Sequence, residues 1–413
     1  MTLDITNIRK DFPQFEDEVP VLHEGQEELH YLDSAATSLT PTCVLDAVIA
    51  YYTEYRANVH RGLFHEAVTA TGLYEDARKK VAQFIGADPE EIIFTSGATE
   101  SSNTFVRMID ESLHLDEEGK DMVTTVMEHH GAVIPLQQFA LRRNIPLHTI
   151  PLRGTALDYE KGEELITDHT ALVSAMLASN VTGELNDIKR IADMAHRHRA
   201  LLVVDATAAV GHIPVDVQVL DCDALYFSGH KMFAPTGVGV LWVKKELLEK
   251  LNPALFGGHM IARFTGGNAE WEDIPARFEA GTKNIAGVIG LGAAVEYVTA
   301  LGTEHIRAHA QELVTYATER LREIPGVELI SETDVTKNVG IVAFTCAFAH
   351  PHDVAEILAR DRVAVRAGHH CAIPLHGALG IESSIRVSFH VYNTKADVDA
   401  LVAGLEKARA IFM

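Results

Sequence analysis

The chain has 413 residues, of which 47% are hydrophobic, so it is long enough to bury a substantial core in two domains. Its 58 acidic residues outnumber the 35 lysines and arginines, and the formal net charge of -23 argues against nucleic-acid binding. No apolar run approaches the roughly 20 residues that span a bilayer, and the first residues lack a signal-peptide layout, so we expect a cytoplasmic protein without a membrane partner. The four scattered cysteines exclude a disulfide framework and a paired-cysteine metal site.

The order of helical and apolar segments predicts an α/β protein. Between about Asp46 and Ala300, amphipathic segments alternate with short apolar runs, as in doubly wound domains. A helix predicted from about Thr69 has its C-terminal stop at Gly86. Apolar runs that begin at residues 91, 122, 171, 201 and 224 predict one buried, mostly parallel sheet.

A second, smaller pattern follows this region. A long helix over about 303–323 leads to a strand at 340–344, a helix at 353–360, strands at 363–366 and 384–391, and a helix at 395–411, which predicts an α+β unit. We therefore expect a large domain over 31–300, a small C-terminal domain over 301–413, and an N-terminal segment over 1–30 that packs with the small domain.

Two of the predicted strands finish on ionisable side chains. The first ends in Asp205, and the second is followed by Ser228, His230 and Lys231. The carboxyl ends of parallel strands meet at the edge of a sheet where α/β proteins bind ligands. A carboxylate that keeps a pyridine nitrogen protonated, a lysine that forms an imine and donors for a phosphate together suit pyridoxal 5′-phosphate. An isolated Asp or Lys is more often part of a surface ion pair.

Other strand ends add polar groups at the same edge. The turn before Glu100 places the Ser96 and Thr99 hydroxyls at a helix N-terminus, which suits an anion. His129 could stack on a planar ring and move protons, and the Asn180 amide could orient a ring oxygen. Each of these residues, taken alone, is more often structural.

Together, eight short motifs resemble in chain order those of the class V branch of fold-type I pyridoxal-phosphate enzymes, specifically the SUF-type (group II) cysteine desulfurases. The resemblance extends over nearly the whole chain and implies a fold-type I transferase that forms a homodimer with a shared active site. The motifs are YLDSAA (31–36), VHRG (59–62), GATE (97–100), MEHH (127–130), SNV (179–181), SGHK (228–231), RFEAGT (277–282) and RAGHHC (366–371).

The resemblance assigns a role to each candidate residue. Lys231 forms the Schiff base, Asp205 pairs with the pyridine nitrogen, and His129 stacks over the ring and serves as a catalytic acid. Asn180 contacts both cofactor and substrate. The phosphate is expected on Ala98, Thr99, Ser228 and His230, with Thr282 reaching across from a second subunit, and the substrate on His60, Arg366 and Arg386.

The reaction class depends on Cys371. This residue lies in a glycine-containing turn with Arg366, His369 and His370, which favour its thiolate. By the resemblance, the thiolate attacks the sulfur of bound L-cysteine, leaving a persulfide on Cys371 and releasing L-alanine. The persulfide then supplies sulfur for iron-sulfur cluster assembly. Without the resemblance, such a thiol is more often a buried structural residue.

One position departs from the family pattern. Where most members have Gln three residues after the pyridine-pairing Asp, this chain has Ala208, so Thr207 or a water is left to supply the hydrogen bond. Three alternatives therefore stay open: selenocysteine lyase activity, another class V reaction such as transamination or kynureninase-type cleavage, and a catalytically impaired sulfur-trafficking scaffold. Cys371 favours sulfur or selenium chemistry.

The sulfur acceptor has its own candidate residue. The motif His350-Pro351-His352-Asp353 resembles the desulfurase subgroup that delivers sulfur to a zinc-containing, SufU-like acceptor, whose zinc the histidine at the His352 position can ligate. Without that resemblance, the motif is an ordinary helix N-terminus with Asp353 in the first turn. Another SUF component is the alternative acceptor.

Overall fold

The computed structural model describes residues 3–15, 28–112, 119–332 and 334–413. Its helices are α1 (Ile5–Ile8), α2 (Thr42–Thr53), α3 (His65–Ile85), α4 (Ala98–Ser112), α5 (His130–Arg143), α6 (Tyr159–Leu165), α7 (Ile188–Arg197), α8 (Val217–Leu220), α9 (Lys245–Leu248), α10 (Ile285–Leu301), α11 (Thr303–Arg322), α12 (Pro351–Arg360), α13 (Ile373–Leu379) and α14 (Lys395–Phe412). Its strands are β1 (His30–Tyr31), β2 (Ile92–Thr95), β3 (Asp121–Thr125), β4 (Leu147–Ile150), β5 (Leu152–Arg153), β6 (Ala156–Leu157), β7 (Thr170–Met176), β8 (Leu201–Asp205), β9 (Ala224–Ser228), β10 (Gly239–Val243), β11 (Ile261–Thr265), β12 (Asn268–Trp271), β13 (Val327–Leu329), β14 (Ile341–Cys346), β15 (Val363–Ala364), β16 (Arg366–Gly368) and β17 (Ser384–Ser388).

The largest sheet has seven strands in the order β2-β10-β9-β8-β7-β3-β4. The pairs between β9, β8, β7, β3 and β4 are parallel, whereas β10 is antiparallel to both β2 and β9. The chain returns from β9 to β10 through a short connection, which can join antiparallel neighbours but cannot make a parallel crossover. The mostly parallel sheet is confirmed, although the sequence analysis missed β4 and β10.

Helices cover both faces of this sheet. α3 ends at Gly86, which has a φ of 71° and is the predicted stop. α10 is apolar on all sides and packs against α2 and α3, so closely that a Cβ at Gly292 would lie 2.8 Å from the Ala77 Cβ. Within the described ranges, no single helix is both long and apolar enough to cross a membrane. The pair α10 and α11 together has the length and the composition of such a helix, but the two helices are bent by 72° relative to each other.

The C-terminal part is built around the antiparallel sheet β13-β14-β17-β16, with α11, α12 and α14 packed on its core. The predicted α+β pattern is therefore present. The strand predicted at 363–366 is instead two strands: β15 pairs with β1, and β16 pairs with β17. The strand predicted at 384–391 ends at Ser388. The domain boundaries at 30 and 300 stay a prediction; residues 16–27 of the N-terminal segment lie outside the described residues.

A buried ion pair joins α3 to the segment before Thr282. Arg78 donates from Nη1 to Glu279 Oε1 at 3.0 Å and from Nη2 to Oε2 at 2.9 Å. The Phe94 N–H donates to Oε1 and the Tyr74 hydroxyl donates to Oε2, so each carboxylate oxygen accepts two hydrogen bonds. Both side chains are buried, and Arg78 also donates from Nε to Glu75 Oε2 at 3.0 Å. Loss of Glu279 would leave the buried guanidinium with one carboxylate partner and would remove the acceptor of the Phe94 N–H and the Tyr74 hydroxyl.

Replacing Glu279 with Leu is expected to lower the free energy of unfolding by up to about 3–5 kcal/mol, because the buried Arg78 guanidinium keeps only the Glu75 carboxylate as an ion-pair partner. The double variant Arg78→Met/Glu279→Leu should lose less, since it leaves no buried guanidinium at this position. Urea unfolding followed by circular dichroism measures both. Glu164→Gln, which breaks an exposed pair with Lys161, is the control and should change the free energy by less than about 1 kcal/mol. A double variant less stable than the single one would contradict this account.

Candidate active site

A cavity of about 410 Å³ lies at the carboxyl ends of β2, β3, β7, β8 and β9. These strands all run in the same direction, because β10 separates β2 from β9 with two antiparallel pairings. The residues that follow the strands therefore meet at one edge. The predicted site residues that line this cavity are Ala98, Thr99, His129, Asn180, Asp205, Ser228, His230, Lys231, Arg366, Cys371 and Arg386.

Two predicted site residues lie elsewhere. His60 and Thr282 line a separate cavity of about 410 Å³, where Asn58 donates to the Thr282 hydroxyl at 3.4 Å. His60 Nε2 pairs with Glu75 on α3 at 2.9 Å, which turns the ring away from the Lys231 cavity of the same chain. Within this chain, His60 therefore lies outside the Lys231 cavity, and its predicted contact with the substrate stays a prediction.

Lys231 lies in a single helical turn directly after β9. Burial and the nearby Arg386 charge lower the pKa of Lys231 to about 8, against the opposing charges of Asp205 and Cys371. Among the described residues, no hydrogen bond or ion pair involves its ammonium group. Lys231 is therefore a half-buried amine with a pKa lowered toward neutrality.

His129 is the N-cap residue of α5. Its Nδ1 accepts a hydrogen bond from the Gly131 N–H at 2.9 Å, so the neutral ring carries its proton on Nε2. Burial lowers the pKa of His129, and the Lys231 charge lowers it further. The ring is thus a neutral donor at the cavity.

The predicted anion site has a more specific arrangement than the sequence suggested. The Ala98 N–H at the start of α4 donates to Ser228 Oγ at 2.8 Å, so this N–H is already used and the Ser228 hydroxyl proton is left for a ligand. His230 Nδ1 is buried without a partner, and burial lowers the pKa of His230 to about 4. Ser96 is exposed and does not line the cavity, so its predicted part in binding an anion is wrong.

The Cys371 turn is held by the central sheet. His370 and Cys371 have φ angles of 51° and 57°, a conformation that side chains with a Cβ rarely adopt. The Asn180 side-chain amide donates to the His370 carbonyl at 2.7 Å, and the His130 N–H donates to the Cys371 carbonyl at 2.8 Å. The thiol is exposed. Burial lowers the pKa of His370 to about 2, so this imidazole is neutral and cannot favour a thiolate by its charge, contrary to the prediction.

Arg386 connects the two halves of the site. Its Nη1 donates to the Asn180 carbonyl at 2.8 Å, its Nη2 donates to Asp33 Oδ1 at 3.1 Å, and its buried Nε has no partner among the described residues. Arg366 lies 3.6 Å from the other Asp33 oxygen. Asp33 was not among the predicted site residues, although a carboxylate two residues after the short strand β1 was a usable signal.

The family model for aminotransferase class V matches residues 30–401 of this chain. The chain belongs to the aminotransferase class V family. A probable cysteine desulfurase of Streptomyces coelicolor is 44% identical over 99% of this chain and 98% of its own, and a cysteine desulfurase of Haloferax volcanii is 41% identical over 99% and 98%. The apo cysteine desulfurase of Thermococcus onnurineus has a TM-score of 0.93 at 37% identity over 99% of both chains, and the cysteine desulfurase CsdA of Escherichia coli has 0.89 at 35% over the full length of both. The predicted family and the fold-type I architecture are confirmed.

Class V proteins use pyridoxal 5′-phosphate, and the cavity fits that group. A carboxylate, a half-buried lysine and a helix N-terminus with two hydroxyls lie around one space. Five atoms of cavity residues are buried without a hydrogen-bond partner among the described residues: Asn180 Oδ1, Thr207 Oγ1, His230 Nδ1, His370 Nδ1 and Arg386 Nε. Unsatisfied buried polar atoms are costly, so their concentration here is typical of a ligand site. Within the described ranges, no cluster of His, Cys, Asp and Glu could hold a metal ion.

Glu128 is a fully buried carboxyl group directly before His129. Its Oε1 accepts from the Thr125 hydroxyl at 2.7 Å and from the Met176 N–H at 2.8 Å, which joins β3 to β7. Its Oε2 has no partner among the described residues. Burial raises the pKa of Glu128 to about 8, with the Thr125 hydrogen bond opposing the shift and the Asp205 charge adding to it. Glu128 therefore keeps its proton at neutral pH, which the sequence analysis did not foresee.

The raised pKa makes stability depend on pH. Between the usual pKa of 4.5 and the folded value of about 8, the unfolded state binds fewer protons at this group, so the free energy of unfolding falls as pH rises. The loss is at most about 1.4 kcal/mol per pH unit and ends above the folded pKa. Glu128→Gln removes the titration, so its stability relative to wild type should rise through this window and then level off.

Urea unfolding of both proteins at unit steps from pH 5 to pH 9 measures this difference. Glu319→Gln, on the exposed side of α11, is the matched control and should follow the wild-type profile. Parallel profiles for wild type and Glu128→Gln would contradict a buried, protonated Glu128.

Proposed function

We propose that the protein is a pyridoxal-phosphate-dependent cysteine desulfurase that converts L-cysteine to L-alanine and leaves a persulfide on Cys371. The observation that carries this proposal is that one cavity is lined by a half-buried lysine and an exposed cysteine, with two arginines beside them. Relatives described as cysteine desulfurases, similar over nearly their whole length, support it. Sulfur supply for iron-sulfur cluster assembly follows as the role of such an enzyme, and a cytoplasmic location stays a prediction.

Different residues of the cavity would bind different parts of the cofactor. Lys231 would bind its aldehyde carbon, and Asp205 would keep its ring nitrogen protonated. His129 would pack on the ring. Thr99, Ser228 and His230 would hold the phosphate near the start of α4, where the N-terminus of a long helix favours an anion.

When bound, pyridoxal 5′-phosphate holds the substrate amine and takes up electrons from Cα. Lys231 Nζ, with a pKa of about 8, is the base for the Cα proton. Arg386 and Arg366 bind the substrate carboxylate. Cys371 Sγ would attack the substrate sulfur: the S–S bond forms as the S–Cβ bond breaks, and the electron pair stays on Cβ. Cβ would take a proton from His129 Nε2, which regains it from solvent, and Lys231 would return the proton it removed to Cα. The products are L-alanine and a persulfide on Cys371.

Replacing Cys371 with Ser should leave the visible absorption of the bound cofactor unchanged and lower alanine release from L-cysteine by at least about 1,000-fold, the scale seen when a nucleophile is removed. Purified protein is incubated with pyridoxal 5′-phosphate and L-cysteine, and alanine and protein-bound persulfide are both quantified. Selenocysteine as a second substrate separates lyase from desulfurase activity.

Cys43→Ser, at an exposed cysteine on α2, is the matched control and should retain full activity. Alanine release by Cys371→Ser at the wild-type rate would overturn the assignment of the nucleophile. Borohydride reduction followed by peptide mapping should label Lys231; a label on another lysine would overturn the cofactor site.

The proposal includes a homodimer that shares its active sites. The cavity of His60 and Thr282 is bordered by two adjacent segments, since the His60 and His259 rings lie 6.0 Å apart. These segments expose large apolar side chains, which marks an interface in a folded protein. The exposed side chains are Leu63, Phe64, Val68, Phe256 and Phe264. A second subunit placed there would bring its own cavity within reach of Thr282 and His60.

The proposed acceptor is a zinc-containing, SufU-like protein that binds at His352. This residue lies in the first turn of α12 and is exposed. A Cβ built at Gly368 would be 3.6 Å from His352 Nε2, so the ring lies beside the segment that leads to Cys371. His350 caps α12 by accepting a hydrogen bond from the backbone N–H of His352, and this contact does not use the His352 ring. Another SUF component is the alternative.

His352→Ala should weaken the stimulation of alanine release by a zinc-loaded acceptor by about 10-fold to 100-fold, the cost of disturbing a metal ligand, while activity with a small thiol reductant stays unchanged. Alanine formation at increasing acceptor concentration measures this. His148→Ala, at an exposed histidine on the edge strand β4, is the control. Equal stimulation of His352→Ala and wild type would eliminate His352 as the docking residue.

A further inference from the structure

The segment after Asp205 contains one polar side chain among apolar neighbours. Residues 206–210 read Ala-Thr-Ala-Ala-Val, and their side chains are buried except for the half-buried Thr207. Both Thr207 and Ala208 line the Lys231 cavity, but the Ala208 side chain has no group that can donate a hydrogen bond. Any polar contact between the side chains of this segment and a ligand must therefore come from Thr207.

The Thr207 hydroxyl is buried and has no hydrogen-bond partner among the described residues. A buried hydroxyl left unsatisfied costs about 1–3 kcal/mol. Helical and strand threonines usually satisfy theirs by bonding to the backbone, as Thr71 does with the Ala67 carbonyl. An unpartnered hydroxyl that faces a ligand cavity is instead placed to bond to the ligand.

The position of Thr207 is fixed by the carboxylate that precedes it. Its backbone N–H donates to Asp205 Oδ1 at 2.9 Å, so the two residues are locked together at the end of β8. Of the other unpartnered cavity atoms, Asn180 Oδ1 is an acceptor only. Thr207 thus adds a donor on the side of the cavity that Asp205 occupies.

We propose that the Thr207 hydroxyl is a cofactor-binding donor that replaces the donor absent at Ala208. The inference rests on the proposed pyridoxal-phosphate site and goes beyond it by assigning a residue that tunes the bound cofactor. A donor to the cofactor stabilises its more negative, deprotonated form. The hydroxyl therefore raises cofactor affinity and lowers the pH at which the visible absorption band of the loaded protein changes.

The test compares Thr207→Val, which keeps the shape and removes the hydroxyl, with Thr207→Ser, which keeps the hydroxyl. Apoprotein is titrated with pyridoxal 5′-phosphate, and the visible band of the loaded protein is followed against pH. Thr207→Val should bind the cofactor about threefold to tenfold more weakly, the scale of one hydrogen bond, and its midpoint should move to higher pH. Thr207→Ser should stay within about twofold of wild type.

Thr124→Val is a matched control. Thr124 is buried in β3 of the same sheet, and its hydroxyl also has no described partner, but it does not line the cavity. It should leave cofactor affinity and midpoint unchanged. Wild-type affinity and midpoint in Thr207→Val would overturn the Thr207 assignment while leaving the cofactor site intact. If wild-type protein itself gains no visible band, the cofactor proposal fails and this inference fails with it.

Discussion

The site depends on one contact between the two parts of the fold, the hydrogen bonds around Asn180. The Asn180 side chain holds the His370 carbonyl, and its backbone carbonyl accepts from Arg386 on β17. These bonds join the end of β7 in the central sheet to the Cys371 turn and to the C-terminal sheet. Lys231 and Cys371 lie on separate elements, and these bonds, together with the His130 N–H bond to the Cys371 carbonyl, hold the two elements together. The contact therefore places both reactive groups on one cavity.

The charges of the cavity differ in sign from the charge of the protein. The chain carries a formal net charge of -23, yet the cavity is lined by Lys231, Arg366 and Arg386 against the carboxylates of Asp33 and Asp205. The histidines add no charge near neutral pH, because burial lowers the pKa of His129 and His230. A small excess of positive charge in a half-enclosed space attracts an anionic ligand. A phosphate and a substrate carboxylate both match this field.

Sequence reasoning found most of the cavity because parallel strands bring their following residues to one edge. The strand ends predicted that Asp205, Lys231 and His129 lie at this edge, and the family resemblance supplied their expected roles. The position of His60 could not, because it depends on a pairing with Glu75 and on which subunit completes the site. The protonated state of Glu128 could not be predicted from the sequence either, because its side chain is buried by contacts with β7, which lies far away in the chain. The hydrogen bond from the Ala98 N–H to Ser228 Oγ was also hidden, because the two residues are 130 positions apart in the sequence.

The different exposures of lysine and cysteine follow from their tasks. In the proposed mechanism, Lys231 loses its proton near neutral pH, and partial burial favours this because a charged amine is costly away from water. The proposed nucleophile Cys371 meets both a substrate and an acceptor, which suits its exposed position. His370 and Cys371 are both left-handed, and hydrogen bonds to their carbonyls hold this turn beside the cavity. The fold thus combines a half-buried amine with an accessible thiol at one cavity.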